Sequence, residues 1–296
     1  MSGSERFADV GRGITLCYDE VGDVGGRPLV LVAGLGQQLH SWPLAFAEAL
    51  AERGFRVVRF DNRDVGRSTH LDFRPPSVVA MLAGRIPAQQ YHLGDLARDT
   101  AGLLAAIEVP AAHVVGASMG GMIAQTLAAH HPDRVLTLTS IMSTTGARRT
   151  GRPAPSTWRR MLAKPPTTRA AAMDAAAGMF RHIGSHGYPF DEAAVRAIAG
   201  EAWDRDPTTV GTTRQLAAIV ASGDRTEELR SITAPTLVVH GDRDRMVHPS
   251  GARATARAIP GARLVTMPGM GHDLPVGAWP RLVELITEHA TSPATP

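Results

Sequence analysis

The chain is poor in the residues and segments on which several protein classes depend. It has a single cysteine, Cys17, among 296 residues, which excludes an internal disulfide framework and a cysteine-built metal site and leaves Cys17 as a small core or hairpin residue. It has a single lysine, Lys164, and its 31 basic residues against 28 acidic ones leave a net charge of +3. So small a balance carries no electrostatic footprint for nucleic acid, and none is expected as a partner. Residues 1–13 hold charges and glycines but no apolar run, so a secretory signal is not indicated and a cytoplasmic location is expected. The long charge-free stretch from Val109 to Pro132 is interrupted by His113, Ser118, Gln125, His130 and several glycines. It reads as a buried strand followed by a buried helix, and no membrane span is expected.

With 44% hydrophobic residues the chain can bury a sizeable core, and its length suits one α/β domain carrying an insertion. Ile14–Val21 reads as part of an opening antiparallel hairpin, with Gly22, Gly25 and Gly26 as turn residues. A strand–loop–helix rhythm follows. Strands are expected at Pro28–Ala33, Arg56–Asp61, Ala112–Ala117 and Val135–Met142, and helices at Pro43–Arg53, His92–Ile107 and Met119–His131. The rhythm stops after Ser143. It resumes with strands at Thr236–His240 and Arg263–Met267 and helices at Gly251–Ala258 and Trp279–His289. Alternation of this kind implies right-handed βαβ crossovers and a mostly parallel sheet with helices on both faces. Residues 1–143 and 227–290 form that core, 144–226 a helical cap inserted into it, and 291–296 a disordered tail.

Gly116-Ala117-Ser118-Met119-Gly120 joins the strand at 112–117 to the helix after it. A strand turning sharply into a helix puts its central residue at positive φ, and its neighbours two positions away must be nearly side-chain-free for the backbones to pass. Gly116 and Gly120 meet that demand. Ser118 would then stand at the carboxyl end of the sheet, above the free N–H groups of a helix N-terminus, where an oxyanion is stabilised.

A serine hydroxyl needs a base, and the base needs a third group to hold its tautomer. Two downstream loops supply them. The strand at 236–240 ends in Gly241-Asp242-Arg243-Asp244, offering two acids, and the strand at 263–267 ends in Pro268-Gly269-Met270-Gly271-His272. The resulting chain order is serine, aspartate, histidine. Either Asp242 or Asp244 could serve, and His248 is a rival base, although its place before Pro249 suits an exposed helix start.

These segments, with Ala33-Gly34, Trp42 and Asp61-Asn62-Arg63-Asp64-Val65-Gly66-Arg67-Ser68, resemble the α/β-hydrolase-fold serine hydrolases with a cap, over residues 10 to 290. In wording they are closest to the aclacinomycin methylesterase-like group. The resemblance implies an eight-stranded-type sheet, Ser118 as nucleophile, His272 as base and Asp244 as its orienting acid, Asp244 lying three residues before Val247. It also implies the backbone N–H groups of Leu35 and Met119 as oxyanion donors. Many relatives carry histidine before the glycine where this chain has Ala33, so the bracing of the loop after Ala33 is left open. The cluster Asp61, Arg63, Asp64 and Arg67 is expected to order a turn by charge-assisted hydrogen bonds.

Several features have a plainer reading beside the functional one. The seven bases between Arg148 and Arg169 suit a solvated surface as well as a basic rim. His182 and His186 have metal-pair spacing, but Gly184 lies between them and no third ligand is near, so no metal is expected. Trp158, Met161, Met179 and Trp203, with Met173 and Phe180, could line an apolar substrate pocket or simply form the core of the cap. The expected activity is hydrolysis of a carboxylic ester of a small to medium apolar molecule through an acyl-enzyme, without cofactor. A lactone, a thioester, a carbon–carbon bond or a perhydrolase reaction is compatible with the same three residues. A non-catalytic binding protein on this fold is the alternative of a different class. The oligomeric state is not legible.

Overall fold

In a computed structural model, which describes residues 4–292, eight strands pair into one sheet. They are β1 (Arg6–Asp9), β2 (Thr15–Val21), β3 (Arg27–Val32), β4 (Phe55–Phe60), β5 (Ala112–Ala117), β6 (Val135–Ile141), β7 (Thr236–Gly241) and β8 (Arg263–Met267), in spatial order β1-β2-β4-β3-β5-β6-β7-β8. β2 pairs antiparallel with β1 and β4, and every other pairing is parallel. The direction in which strands are added reverses at β3, which lies between β4 and β5. The crevice beyond the carboxyl ends of β3 and β5 is therefore the topological switch point, where open α/β sheets place their ligands.

The parallel strands are buried on both faces and alternate between two cores. Leu29, Leu31, Val57 and Val115 pack with Trp42, Phe46 and Leu50 around α1 (Leu44–Ala51), and with Leu282 and Leu285 of α11 (Trp279–Thr291). Val30, Val32, Val58 and Val114 face the opposite way. They meet Leu96 and Leu103 of α3 (Leu93–Ala106), Ile123 and Leu127 of α4 (Met119–His130), and Ala258 of α10 (Ser250–Ala258). The period of two is the strand's own, and each such side chain contributes about 1.5–3 kcal/mol when fully buried. Cys17 is buried on β2, and burial pushes its thiol up to about 12. No helix among the described residues is long and apolar enough to cross a membrane.

Five helices lie between β6 and β7: α5 (Pro155–Met161), α6 (Arg169–Ile183), α7 (Glu192–Arg205), α8 (Val210–Ser222) and α9 (Thr226–Leu229). The domain limit expected at 226/227 falls inside α9. A short helix α2 (Val78–Leu82), which has no periodic signal in the sequence, precedes α3. The strand expected to reach Met142 stops at Ile141, because Met142 adopts a left-handed φ of 44°. α11 runs to Thr291, into the tail expected to be disordered, and residues 293–296 lie outside the described residues.

Buried arginines tie these helices to the core. Arg214 of α8 forms a bidentate pair with Asp64, at 2.9 and 2.7 Å. Arg205, at the end of α7, pairs with Asp61 at 2.8 Å. Arg63 is bidentate to Asp99 of α3. Arg225 donates to the Gln125 side chain at 2.9 Å and to the Thr144 carbonyl at 2.6 Å. The charged turn at 61–67 is thus ordered as expected, by planar charge-assisted hydrogen bonds that suit guanidinium better than ammonium.

Removing one partner of such a pair strands the other charge in the interior. Arg214→Met should lower the free energy of unfolding in urea by about 3–5 kcal/mol, and adding Asp64→Leu should recover part of that loss. A single variant as stable as the wild type would show that the pair does not hold α8.

Candidate active site

The site is assembled from four loops at the carboxyl ends of β3, β5, β7 and β8. Ser118 sits between β5 and α4 with φ 56° and ψ −119°, the left-handed strain the sequence pattern calls for. The turn is possible only because three backbones touch. A Cβ on Gly116 would lie 2.1 Å from the Gly120 carbonyl oxygen, and one on Gly120 would lie 2.0 Å from that of Val32. Ser118 is held by its own peptide groups: its N–H donates to Ile141 at 2.9 Å, and its carbonyl accepts the Ser143 hydroxyl at 2.8 Å and the Met122 N–H at 3.2 Å. The carbonyl of Ser118 shares a peptide plane with the N–H of Met119, so these bonds also aim that amide.

His272 Nε2 lies 2.9 Å from Ser118 Oγ, and His272 Nδ1 lies 2.7 Å from Asp244 Oδ2. The carboxylate can only accept, so it selects the tautomer protonated on Nδ1 and leaves the Nε2 lone pair facing the serine hydroxyl. An arrangement of this kind can draw the proton from Ser118 as its oxygen attacks an electrophile. Of the two aspartates, Asp244 meets the histidine. Asp242 instead accepts the Gly269 N–H at 2.7 Å, which braces the loop carrying His272. His248 is exposed and bonded to Ser250 at the start of α10.

Asp244 is buried, and burial alone would disfavour its charge. The positive charge His272 can carry and hydrogen bonds from His240 and His272 outweigh that cost and hold the carboxyl at about 2. The Met246 and Val247 N–H groups also donate to Oδ1, both at 2.8 Å. His240, the penultimate residue of β7, was not singled out by the sequence pattern. Its Nε2 lies 2.8 Å from the Val247 carbonyl and 3.3 Å from Asp244 Oδ2. The available signal was its position four residues before the acid, at a strand's carboxyl end.

Leu35 and Met119 follow the ends of β3 and β5, and among the described residues neither N–H donates a hydrogen bond to the protein. The loop after Ala33 is braced without a histidine. The Asn62 side chain donates to the Ala33 carbonyl at 3.2 Å, the Gly34 N–H to the Gln37 side chain at 3.1 Å, and the Gly36 N–H to the Gln215 side chain at 2.9 Å.

The inserted segment also grips the other loops. The Ile183 carbonyl accepts the His272 N–H at 2.8 Å, the Ser185 hydroxyl accepts the Gly271 N–H at 2.9 Å, and the Thr157 hydroxyl donates to the Arg245 carbonyl at 3.0 Å. The expected pocket residues are spread out. Trp203 lines a cavity of about 170 Å³ together with Gly36, Val65 and Thr212. Met161 and Met179 are half-buried on α5 and α6 and are not part of that lining, and Trp158 is 43% exposed. The bases between Arg148 and Arg169 are exposed, with Arg169 paired to Asp204. No group of residues able to hold a metal occurs among the described residues.

A carboxyl whose pKa is lower in the folded than in the unfolded state favours the fold only while ionised. The stability supplied by Asp244 should be complete above about pH 4 and lost as pH falls through its folded value. In urea denaturation between about pH 2 and 6, the margin of wild type over Asp244→Asn should shrink toward the acid end. A margin independent of pH would contradict the ionised pairing.

The comparisons with known proteins agree with this fold. The family model described as alpha/beta hydrolase fold matches residues 27–276. Rhodomycin D methylesterase DauP from Streptomyces sp. (strain C5) is 33% identical, over 93% of this chain and 95% of its own length. Rhodomycin D methylesterase DnrP from Streptomyces peucetius is 32% identical, over the same shares. Among solved structures, a hydrolase from Pseudomonas aeruginosa PA01 superposes with a TM-score of 0.72 at 26% identity, covering 98% of this chain and 99% of its own. The 2-hydroxy-6-oxo-6-phenylhexa-2,4-dienoate hydrolase from Rhodococcus sp. strain RHA1 reaches a TM-score of 0.77 at 20% identity, covering 99% of this chain and 100% of its own, and shares the fold. A family model spanning most of the chain, methylesterase relatives along nearly its whole length and a matching sheet lead to one conclusion: this chain belongs to the α/β hydrolase fold family, in its methylesterase-like group.

Proposed function

We propose that the chain hydrolyses a carboxylic ester, a methyl ester of a largely apolar acid in the first instance, through an acyl-enzyme on Ser118. The observation that carries this reading is the continuous hydrogen-bond chain from Ser118 through His272 to Asp244. The two methylesterase relatives support the choice of ester.

Ser118 Oγ attacks the ester carbonyl while His272 Nε2 takes its proton, and the Leu35 and Met119 N–H groups hold the resulting oxyanion. Collapse breaks the bond to the alkoxy oxygen, which leaves as the alcohol with the proton from His272. Water then gives a proton to His272 and attacks the acyl carbon, and the proton returns to Ser118 as the acid departs. Asp244 keeps the imidazole in one orientation and stabilises its protonated form. None of these steps calls for a metal or an organic cofactor. Residues 144–226 act as a cap, and Trp203, which lines the cavity beside Gly36 and Val65, is assigned to its apolar contact with the substrate.

A fluorophosphonate probe and a panel of methyl and p-nitrophenyl esters test the reading. Wild type should be labelled and should release alcohol. Ser118→Ala should lose labelling and about 10⁴-fold or more of its turnover, and Asp244→Asn should lose about 10⁴-fold in kcat while remaining folded. Equal labelling of Ser118→Ala and wild type would overturn the nucleophile, and labelling without turnover of any ester would overturn the activity.

A further inference from the structure

The Leu35 N–H can serve an oxyanion only if the peptide units flanking Leu35 are held in one orientation. The unit before it is fixed from within the loop, where the Gln37 N–H donates to the Gly34 carbonyl at 3.1 Å. The unit after it is fixed from outside. Its N–H, on Gly36, donates at 2.9 Å to the side-chain oxygen of Gln215, 179 residues away on α8. Gln215 is fully buried, and its side-chain amide donates to the Arg63 carbonyl at 2.8 Å, so both ends of the carboxamide are used. The seam around this contact leaves no slack. Gly36 has φ 66°, and a Cβ there would lie 2.8 Å from Thr212 Oγ1, while one on Gly211 would lie 1.7 Å from the Asp64 carbonyl oxygen.

We propose that Gln215 is a positioning residue for the oxyanion hole, making the aim of the Leu35 amide depend on α8 being seated against the loop. This rests on the acyl-enzyme reading above. Gln215 makes no hydrogen bond to Ser118 or His272. Its loss should leave ground-state binding intact and weaken only the interaction with the charged tetrahedral oxygen, which appears in kcat and not in KM.

The experiment compares Gln215→Met, which loses both hydrogen bonds, with Gln215→Glu, whose carboxyl, kept neutral by full burial, offers an acceptor to the Gly36 N–H and a donor to the Arg63 carbonyl. Ser222→Ala serves as the control. It removes the hydroxyl that accepts the Leu93 N–H at 2.9 Å at the far end of α8, away from the loop. The readouts are kcat, KM and the affinity for a trifluoromethyl ketone, which forms a tetrahedral adduct bearing a charged oxygen on Ser118. Gln215→Met should lose about 10- to 100-fold in kcat and in ketone affinity alike, with KM within about twofold. Gln215→Glu should recover most of the loss, and Ser222→Ala should match wild type.

Wild-type kcat and ketone affinity in Gln215→Met would overturn the proposal alone. So would a loss carried by KM, or one equally present in Ser222→Ala. If Gln215→Met does not fold, Gln215→Asn, whose carboxamide falls one methylene short of Gly36, carries the same comparison. Absence of Ser118-dependent turnover or ketone binding in wild type would instead overturn the acyl-enzyme reading, and this proposal with it.

Discussion

Where β5 turns into α4, the backbones of three segments meet with no space for a side chain. The carbonyl of Val32, at the end of β3, lies where a Cβ on Gly120 would have to go, and the carbonyl of Gly120 does the same to Gly116. Everything at the switch point follows from that approach. It sets Ser118 at positive φ and brings the first turn of α4 beside the loop leaving β3. A methyl group on Gly120 would force the first turn of α4 off the end of β3, and one on Gly116 would force it off β5.

The inserted segment holds three of the four loops as well as lying between β6 and β7. Thr157 reaches the acid loop, Ile183 and Ser185 reach the histidine loop, and Gln215 reaches the loop after β3. Arg205 and Arg214 set the same segment down on Asp61 and Asp64. Those aspartates occupy the turn after β4, so one short charged stretch orders its own turn and also fixes where the insertion lies. Paired buried charges of this kind fix geometry more than they add stability.

The sheet was legible because buried parallel strands are continuous aliphatic runs; β5 and β8 fall at the expected residues. Ser118, Asp244 and His272 were legible because each lies in a short local pattern with its own steric reason. Gln215, Ser143 and His240 were not, because each acts through a partner's backbone that only the fold brings near. A glutamine facing a glycine amide 179 residues away leaves no periodicity to find. The inserted helices are alanine-rich and weakly amphipathic in sequence, so their existence could be read but their buried faces could not. Trp158, expected against substrate, is instead substantially exposed on α5.

The choice of arginine over lysine throughout the chain leaves one side-chain amine, Lys164, exposed in the connection between α5 and α6. Amine-directed chemistry therefore has one internal address, on the segment whose later helix braces the loop after β3. A fluorophore or a resin linkage attached through Lys164 would tether the molecule by that segment, leaving Ser118, His272 and the sheet beneath them unmodified.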